Sequence, residues 1–219
     1  MKKILSIFII SLFVCSSCAL FPKKAEKTAE NLISDGMNYF EEEEYRNAVE
    51  SFQKLKNWYP FSKYAILAEL KTADSHYILE EYEEAAAGYE MFEKLHPRNE
   101  AIPEVLYKMG MCYFERLPTI DRDQTVTQQA LDIFNRLRSQ YHESLYSGKA
   151  AEKIELCKKN LAEHEFRIGH FYYKSKHFGA ALQRFTAASS SPDPEIRENA
   201  MKYMQMCEKS LEQQPELEK

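Results

Sequence analysis

GMNYFEEEEYRNAVESFQKLKNWYP, residues 36–60, has the same residue spacing as ADSHYILEEYEEAAAGYEMFEKLHP, residues 73–97. In each stretch a small residue, an aromatic ring, an alanine, a second aromatic ring and a proline are separated by 3, 9, 4 and 8 positions. A fixed period of this kind indicates one structural unit that is stacked along the chain. The first copy has Gly36, Tyr39, Ala48, Phe52 and Pro60 at these positions, and the second has Ala73, His76, Ala85, Tyr89 and Pro97.

Two further copies follow in the second half of the chain. This spacing is that of the tetratricopeptide repeat (TPR), a pair of antiparallel helices whose small residues allow close approach. Because a single pair cannot bury its apolar face, the sequence predicts an all-α TPR superhelix of four clear helix pairs and a C-terminal helix. The third copy has Gly110, Tyr113, Ala130, Phe134 and His142, with a gap of 17 positions in place of 9, and the fourth has Gly169, Tyr172, Ala181 and Phe185.

The repeats set the expected organisation of the chain. Residues Ser144 to Lys174 contain no helix breaker except two glycines, so we expect one long helix whose first half lies outside the regular repeat. Asp193 and Pro194 suit the N-cap and the first position of a last helix. The expected segments are a TPR domain at 29–212, with repeats at about 29–62, 66–99, 103–142 and 162–195, a terminal helix at 195–211 and a polar tail at 213–219.

The beginning of the chain has the pattern of a secretory signal. Two lysines precede an apolar run, Ile4–Val14, which is shorter than the roughly 20 residues that a membrane-spanning helix needs. Signal cleavage requires small residues before the cut, and two serines stand before Cys18, whereas bulky residues stand before Cys15. We therefore expect residues 1–17 to be removed as a lipoprotein signal peptide.

The sequence Cys15–Cys18, CSSC, resembles a bacterial lipobox, in which the cysteine after the cut becomes a lipidated N-terminus. Several acyl chains on Cys18 would give a stable anchor, and residues 18–28 would form the lipidated N-terminus and a tether. Ala19, in place of the Asp that retains lipoproteins in the inner membrane, indicates a lipid-anchored protein on the periplasmic face of the outer membrane. The alternatives are an ordinary signal peptide and a thiol-redox pair.

Composition argues against several classes of function. The net charge of −5 offers no basic field for nucleic acid, and none of the six glycines forms a phosphate-binding loop. The segment that begins at His164, HEFRI, lacks the second histidine of a zinc protease helix, and the nearby histidines are poorly spaced for one metal. We expect no enzymatic activity, no metal, no small-molecule substrate and no cofactor beyond the covalent lipid. We also expect Cys112, Cys157 and Cys207 to be buried apolar residues.

The first helix of each TPR lines the concave face of a superhelix. Three positions on these helices give a line of methionine, aromatic and aliphatic side chains, here named the helix-A stripe, which suits a peptide with apolar side chains. The stripe lacks the Lys, Arg and Asn with which some TPRs hold a C-terminal carboxylate, so that type of partner is disfavoured. Alternatively, the stripe is interior to a tight superhelix or covered by the N-terminal segment. Its predicted members are Ile33, Met37, Phe40, Leu70, Asp74, Tyr77, Tyr107, Met111 and Phe114.

Several motifs occur together in one chain: the lipobox, four TPRs, YPFS at 59–62, DRDQ at 121–124 and a tyrosine pair at 172–173. This combination resembles the BamD/YfiO (ComL) family of outer-membrane lipoproteins, and the resemblance covers nearly the whole chain. The family is described with five TPRs, of which the fifth is reduced here to one clear helix. The resemblance implies a non-enzymatic component of the BAM complex, which inserts β-barrel proteins into the outer membrane.

The resemblance implies two binding surfaces. The N-terminal repeats would bind the C-terminal segments of unfolded outer-membrane proteins. The C-terminal repeats would bind the POTRA domains of the BamA-like, barrel-forming subunit. In the family, a basic residue after the tyrosine pair contacts that subunit, and the matching position here is Lys176, beside Lys174 and His177.

Charges alternate in the insertion of the third repeat. We expect Asp121, Arg122 and Asp123 to form a local ion pair that orders this loop, with a docking role as the alternative.

Two other functions stay open from the sequence. One is a TPR lipoprotein pilotin that delivers a secretin or pilus subunit. The other is a periplasmic scaffold that regulates a cell-wall enzyme.

Overall fold

Nine α-helices and no strands form the part of the chain, residues 27–217, that the computed structural model describes. Helices that follow one another along the chain pack side by side, which confirms the all-α superhelix. Among residues 27–217, no helix has both the length and the apolar character needed to cross a bilayer. The helices are α1 Ala29–Glu41, α2 Tyr45–Trp58, α3 Ala65–Ile78, α4 Tyr82–Leu95, α5 Ile102–Phe114, α6 Thr125–Gln140, α7 Leu145–Lys174, α8 Phe178–Ala188 and α9 Pro194–Leu217.

Close approach within a helix pair depends on the small residue of its first helix. A Cβ added at Gly36 of α1 would lie 2.4 Å from the ring of Phe52 on α2, and the third and fourth pairs have the same glycine–phenylalanine contact. The second pair reverses the arrangement, because a Cβ added at Gly88 of α4 would lie 2.9 Å from the Cβ of Ala73 on α3. The repeat spacing thus marks the positions at which two helices touch.

Three of the helix pairs share one turn geometry. The turn holds a non-glycine residue in the left-handed conformation, and an edge-to-face aromatic pair closes the hairpin beside it. The left-handed residues are Glu43, Glu80 and Lys176, with φ of 61°, 60° and 58°. The ring pairs are Phe40–Tyr45, Tyr77–Tyr82 and Tyr173–Phe178, with centroids 5.3, 5.6 and 5.5 Å apart.

Buried apolar residues form three clusters. The first surrounds Phe52 between α1, α2 and the start of α3. The second runs from α3 to α6 and includes Ile154 and Cys157 of α7. The third lies around Phe185 between α7, α8 and α9. We call α1–α6 with residues 145–161 the N-terminal stack, and residues 162–217 the C-terminal unit.

Helix α7 is one continuous helix of 30 residues, as the sequence predicts. Its first half, which the sequence places outside the regular repeat, is packed into the core, because Ala150, Ile154 and Cys157 are fully buried against α5 and α6. Residues 145–161 therefore occupy the place of the first helix of a further repeat.

Helix α9 continues to Leu217, beyond the predicted end at 211 and into the predicted polar tail. Glutamate and glutamine favour helix, so the polar residues 212–214 do not end it.

Candidate peptide and partner surfaces

The helix-A stripe lies on α1, α3 and α5 and is largely covered. Ile33, Asp74 and Met111 are buried, with 7%, 7% and 8% of their surface exposed. The other members keep part of their surface accessible while packing against the first two apolar clusters. The stripe is therefore a seam of half-buried rings and not an open trough. Its half-buried members are Met37, Phe40, Leu70, Tyr77, Tyr107 and Phe114.

Lysines lie beside the rings of the stripe, contrary to the expectation that it lacks basic groups. Lys71 Nζ lies 4.6 Å from the ring centroid of Phe40, and Lys153 Nζ lies 4.3 Å from that of Phe114. The predicted stripe contains three positions on the first helix of each repeat, and Lys71 lies at a different position of α3. Lys153 comes from the first half of α7, which the sequence placed outside the repeat. The stripe therefore has basic groups beside it that could bind a partner with a terminal carboxylate.

Asp74 is the centre of a buried polar network and not a ligand-facing side chain. Tyr89 Oη and Lys108 Nζ donate to Asp74 Oδ1 at 2.8 and 2.9 Å, and Lys71 Nζ lies 3.4 Å from Oδ2. Lys108 Nζ also lies 2.7 Å from Glu104 Oε1. Burial opposes the charge of Lys108, but the two carboxylates outweigh it and raise the pKa of Lys108. The network joins α3, α4 and α5 beneath the stripe.

The predicted partner residues lie together at the α7–α8 turn. Lys174, Lys176 and His177 are all exposed, and Lys176 has the left-handed backbone conformation. The equivalent positions of the first two repeats are Glu43 and Glu80. One backbone geometry therefore presents an acidic residue twice in the N-terminal stack and a basic residue in the C-terminal unit.

The loop between α5 and α6 is ordered differently from the prediction. Among the described residues, no salt bridge joins Asp121, Arg122 and Asp123, so the expected ion pair is wrong. The buried amide of Gln124 donates instead to the carbonyl oxygens of Thr119 and Arg122 at 3.1 and 3.0 Å. Its own carbonyl accepts from the Thr127 hydroxyl at 2.7 Å. A neutral amide can both donate and accept, which suits a buried turn better than three exposed charges.

Two further contacts complete the loop. The Thr125 side chain lowers the pKa of Asp123, and so does the backbone N–H of Thr125, which donates to Asp123 Oδ1 at 2.9 Å. His164 Nδ1 lies 2.6 Å from the carbonyl oxygen of Ile120 and attaches the loop to α7. The structural roles of Gln124 and His164 were not predicted, because an isolated polar residue carries no periodic signal in the sequence.

The three cysteines are buried, as predicted. Burial raises the pKa of Cys112 to about 12 and that of Cys157 to about 11. A thiol with such a pKa is almost wholly protonated at neutral pH and is a poor nucleophile. Across residues 27–217, no group of three or more His, Cys, Asp or Glu side chains is placed to hold a metal ion.

Comparison with known proteins gives a consistent set of relatives. Residues 25–218 match the family described as "YfiO: Outer membrane lipoprotein". The "Outer membrane protein assembly factor BamD" of Caulobacter vibrioides is 31% identical over 162 residues, which are 74% of this chain and 53% of that protein. The protein of the same name from Rickettsia prowazekii is 28% identical over 192 residues, which are 84% of this chain and 74% of that protein. The chain thus spans about half the length of the Caulobacter relative.

Among solved structures, that of the MamA protein aligns with a TM-score of 0.44 at 13% identity, covering 86% of this chain and 94% of MamA. A score this low carries no argument about fold or function. The family match covers both the N-terminal stack and the C-terminal unit, including the stripe and the basic turn. The chain therefore belongs to the YfiO family of outer membrane lipoproteins.

Proposed function

We propose that this chain is a non-enzymatic, lipid-anchored component of the machinery that assembles β-barrel proteins into the outer membrane. The family match over residues 25–218 carries the proposal, and the named relatives are outer membrane protein assembly factors. Cys18 would carry the lipid, and it lies outside the described residues. Mass spectrometry of the mature N-terminus tests this step, because an unmodified Cys18 would contradict the anchor.

The helix-A stripe is the proposed binding surface for C-terminal segments of unfolded client proteins. Its half-buried rings offer apolar contact area, and Lys71 and Lys153 beside them offer cationic groups for the carboxylate that ends such a segment. Phe40 and Phe114 combine both features, because each ring lies next to a lysine.

A peptide titration tests the stripe. Phe40→Glu and Phe114→Glu should each weaken binding of a labelled peptide that ends in an aromatic residue, as measured by fluorescence anisotropy. Met91→Glu is the matched control, because Met91 is 53% exposed on the second helix of its pair. If Phe40→Glu and Phe114→Glu bound the peptide as tightly as Met91→Glu, with helicity retained, the stripe would not be the client-binding surface.

The basic turn at Lys176 is the proposed contact for an acidic side chain on the POTRA domains of a BamA-like barrel subunit. Lys176→Glu should reduce co-purification with that subunit, because it reverses the charge of an exposed side chain. Glu80→Lys reverses the charge at the equivalent left-handed position of the second repeat and should leave co-purification unchanged. Equal recovery with both variants would reject the assignment.

One pull-down separates this function from the alternatives. Affinity purification of the tagged, full-length protein should recover a barrel subunit with POTRA domains. Recovery of a secretin would identify a pilotin instead, and recovery of a cell-wall enzyme would identify a regulatory scaffold.

A further inference from the structure

Three junctions between successive helix pairs have the same backbone. Each begins at the residue after a helix, Tyr59, His96 or Tyr141, whose φ is −134°, −128° or −133°. In each, the carbonyl oxygen of that residue accepts from the N–H three positions later, at 3.0, 2.9 and 3.0 Å. That later residue is Ser62, Asn99 or Ser144, and its side chain accepts from the N–H two positions further on. The three junctions are therefore structural copies of one another.

The outermost residue of the junction differs among the three copies. Arg98 and Glu143 occupy this position in the second and third junctions, and both are exposed. The first junction has Phe61 there, and its side chain is 100% exposed. Because charged residues occupy the same backbone position elsewhere, the turn itself does not require an aromatic ring. An apolar ring held wholly in solvent contributes nothing to burial, and exposed apolar side chains that cluster mark candidate interaction surfaces.

Exposed apolar side chains are concentrated around this junction. Of the twelve large apolar residues that are exposed in the described part of the chain, four lie within residues 58–67. They are Trp58, Phe61, Ile66 and Leu67, and Trp58 is 52% exposed. The segment from Ser51 to Ala68 contains three lysines and no acidic residue, although the chain as a whole has a net charge of −5.

The N-terminal segment enters the fold beside this junction. Tyr59 Oη donates to the backbone carbonyl oxygen of Lys27 at 3.0 Å, at the first residue that the structure describes. Lys27 lies nine positions after Cys18, and an extended chain of that length spans at most about 30 Å. A lipid on Cys18 thus keeps Lys27, whose carbonyl oxygen accepts from the Tyr59 hydroxyl at the base of this junction, within about 30 Å of the bilayer surface.

We propose that the exposed turn of residues 58–63 contacts the lipid surface to which Cys18 is anchored. This inference rests on the lipid anchor of the proposed function. Tryptophan and tyrosine rings settle at the boundary between lipid headgroups and acyl chains. Lysines beside them reach anionic headgroups while their methylene stems lie along apolar surface. Trp58 and Phe61 supply the exposed rings, and Lys63, with Lys56 just before the turn, supplies the charges.

This contact would fix the orientation of the superhelix. A lipid on a tether leaves the folded domain free to rotate beneath the membrane. A second contact at the turn removes most of that freedom, because two points of attachment define an axis. The first helix pair would then lie against the membrane.

Trp58 is the single tryptophan of the chain and therefore reports on this turn without any label. The test uses lipidated, full-length protein in vesicles of phosphatidylcholine and phosphatidylglycerol that contain no other protein. Phospholipids brominated near the headgroup end of the acyl chains should quench Trp58 emission, and the emission should shift to shorter wavelength. Co-flotation of the same sample with the vesicles measures the anchor independently.

The outcomes separate this inference from the lipid anchor. Co-flotation without quenching would overturn the membrane contact and leave the anchor intact, and it is also the result expected if the turn binds a protein. Failure of both measurements would overturn the anchor and the contact together. Quenching with a blue shift supports the contact.

Two variants sharpen the assignment. Phe61→Glu should cause a loss of quenching without loss of helicity or thermal stability, because Glu143 occupies the same position of an equivalent turn. Phe171→Glu is the control, since Phe171 is 66% exposed in the C-terminal unit and should leave the quenching unchanged. Equal quenching in the two variants would show that Phe61 does not insert.

Discussion

The N-terminal stack and the C-terminal unit are built from the same repeat but differ in how well they are enclosed. In the N-terminal stack, Phe52, Tyr89 and Phe134 are fully buried, and successive pairs cover one another. In the C-terminal unit, Phe185 is also fully buried, but Tyr203, stacked on it at 5.0 Å, is only half-buried. A repeat is enclosed by its neighbours, and the last one is covered by a single helix, α9.

The difference matters for the two proposed binding surfaces. The stripe lies on the stack, where α7 and three helix pairs hold its rings in place. The basic turn lies on the unit, where half-buried aromatic side chains surround a small core of three fully buried residues. We therefore expect the stack to be more stable than the C-terminal unit.

Removing the central ring of each core should unfold different parts of the chain. Phe134→Ala and Phe185→Ala each delete a fully buried ring and should lower the free energy of unfolding by about 3–5 kcal/mol. Hydrogen exchange should show lost protection in α5, α6 and the first half of α7 for Phe134→Ala, and in α8 and α9 for Phe185→Ala. Loss across the whole chain in both variants would mean that the two regions unfold as one.

The helix-A glycines should tolerate a methyl group unequally. A Cβ at Gly110 would lie 2.5 Å from the ring of Phe134, whereas a Cβ at Gly169 would lie 2.9 Å from that of Phe185. Gly110→Ala should therefore cost about 2 kcal/mol and Gly169→Ala about 1 kcal/mol or less, after the helix-propensity gain of alanine. Urea unfolding measures both costs, and the reverse order would show that the stack adapts more easily.

Charge pairs should contribute more inside the stack than on the C-terminal unit. Asp74→Asn removes a buried charge from Lys108 and should cost about 1 kcal/mol. Glu165→Gln removes the partner of Arg184, a more exposed pair at 3.0 Å, and should cost less than about 0.5 kcal/mol. Thermal melts at low and high salt measure the stability lost in each variant. Equal losses would show that charge pairs contribute equally in the stack and in the C-terminal unit.

The same network predicts a loss of stability in alkaline solution. The pKa of Lys108 is raised above 10.5 by its carboxylate partners, so its contribution is present below that pH and is lost as the pH rises past it. Burial and the Asp74 carboxylate raise the pKa of Tyr89 above 10.0, which acts in the same direction. The wild-type melting temperature should fall above about pH 10, and the fall should be smaller in Asp74→Asn. If the melting temperature of Asp74→Asn fell as much as that of the wild type, the loss of stability would come from other titrating groups.

The smallest effect concerns the left-handed turns. Glycine adopts a positive φ without steric cost, so Lys176→Gly and Glu80→Gly should each raise the melting temperature by about 1–2 °C. Only Lys176→Gly should weaken recovery of the barrel subunit, because it also removes the basic side chain. A differential scanning measurement with the pull-down checks both statements, and weakened recovery with Glu80→Gly would contradict the comparison.

The repeat was predictable from the sequence alone, because small residues and aromatic rings recur at fixed positions where the two helices of a pair touch. The 16-position spacing of Gly36 and Phe52 recurs at Gly169 and Phe185, and Gly110 and Phe134 make the same contact across an insertion of eight residues. Helix α7 was predictable for the same reason, since neither proline nor a turn motif interrupts it. Local patterns of this kind report on neighbours in the helix and on the partner helix of one repeat.

The side chains that these helices expose to a partner could be identified only from the tertiary structure. The burial of Asp74, the position of Lys153 over Phe114 and the role of Gln124 depend on residues distant in the chain. Phe61 stands at a position that three junctions with one shared backbone have in common, and its full exposure there is a property of the folded structure. Periodicity encodes which helices pair, whereas burial and charge at a surface depend on how those pairs stack.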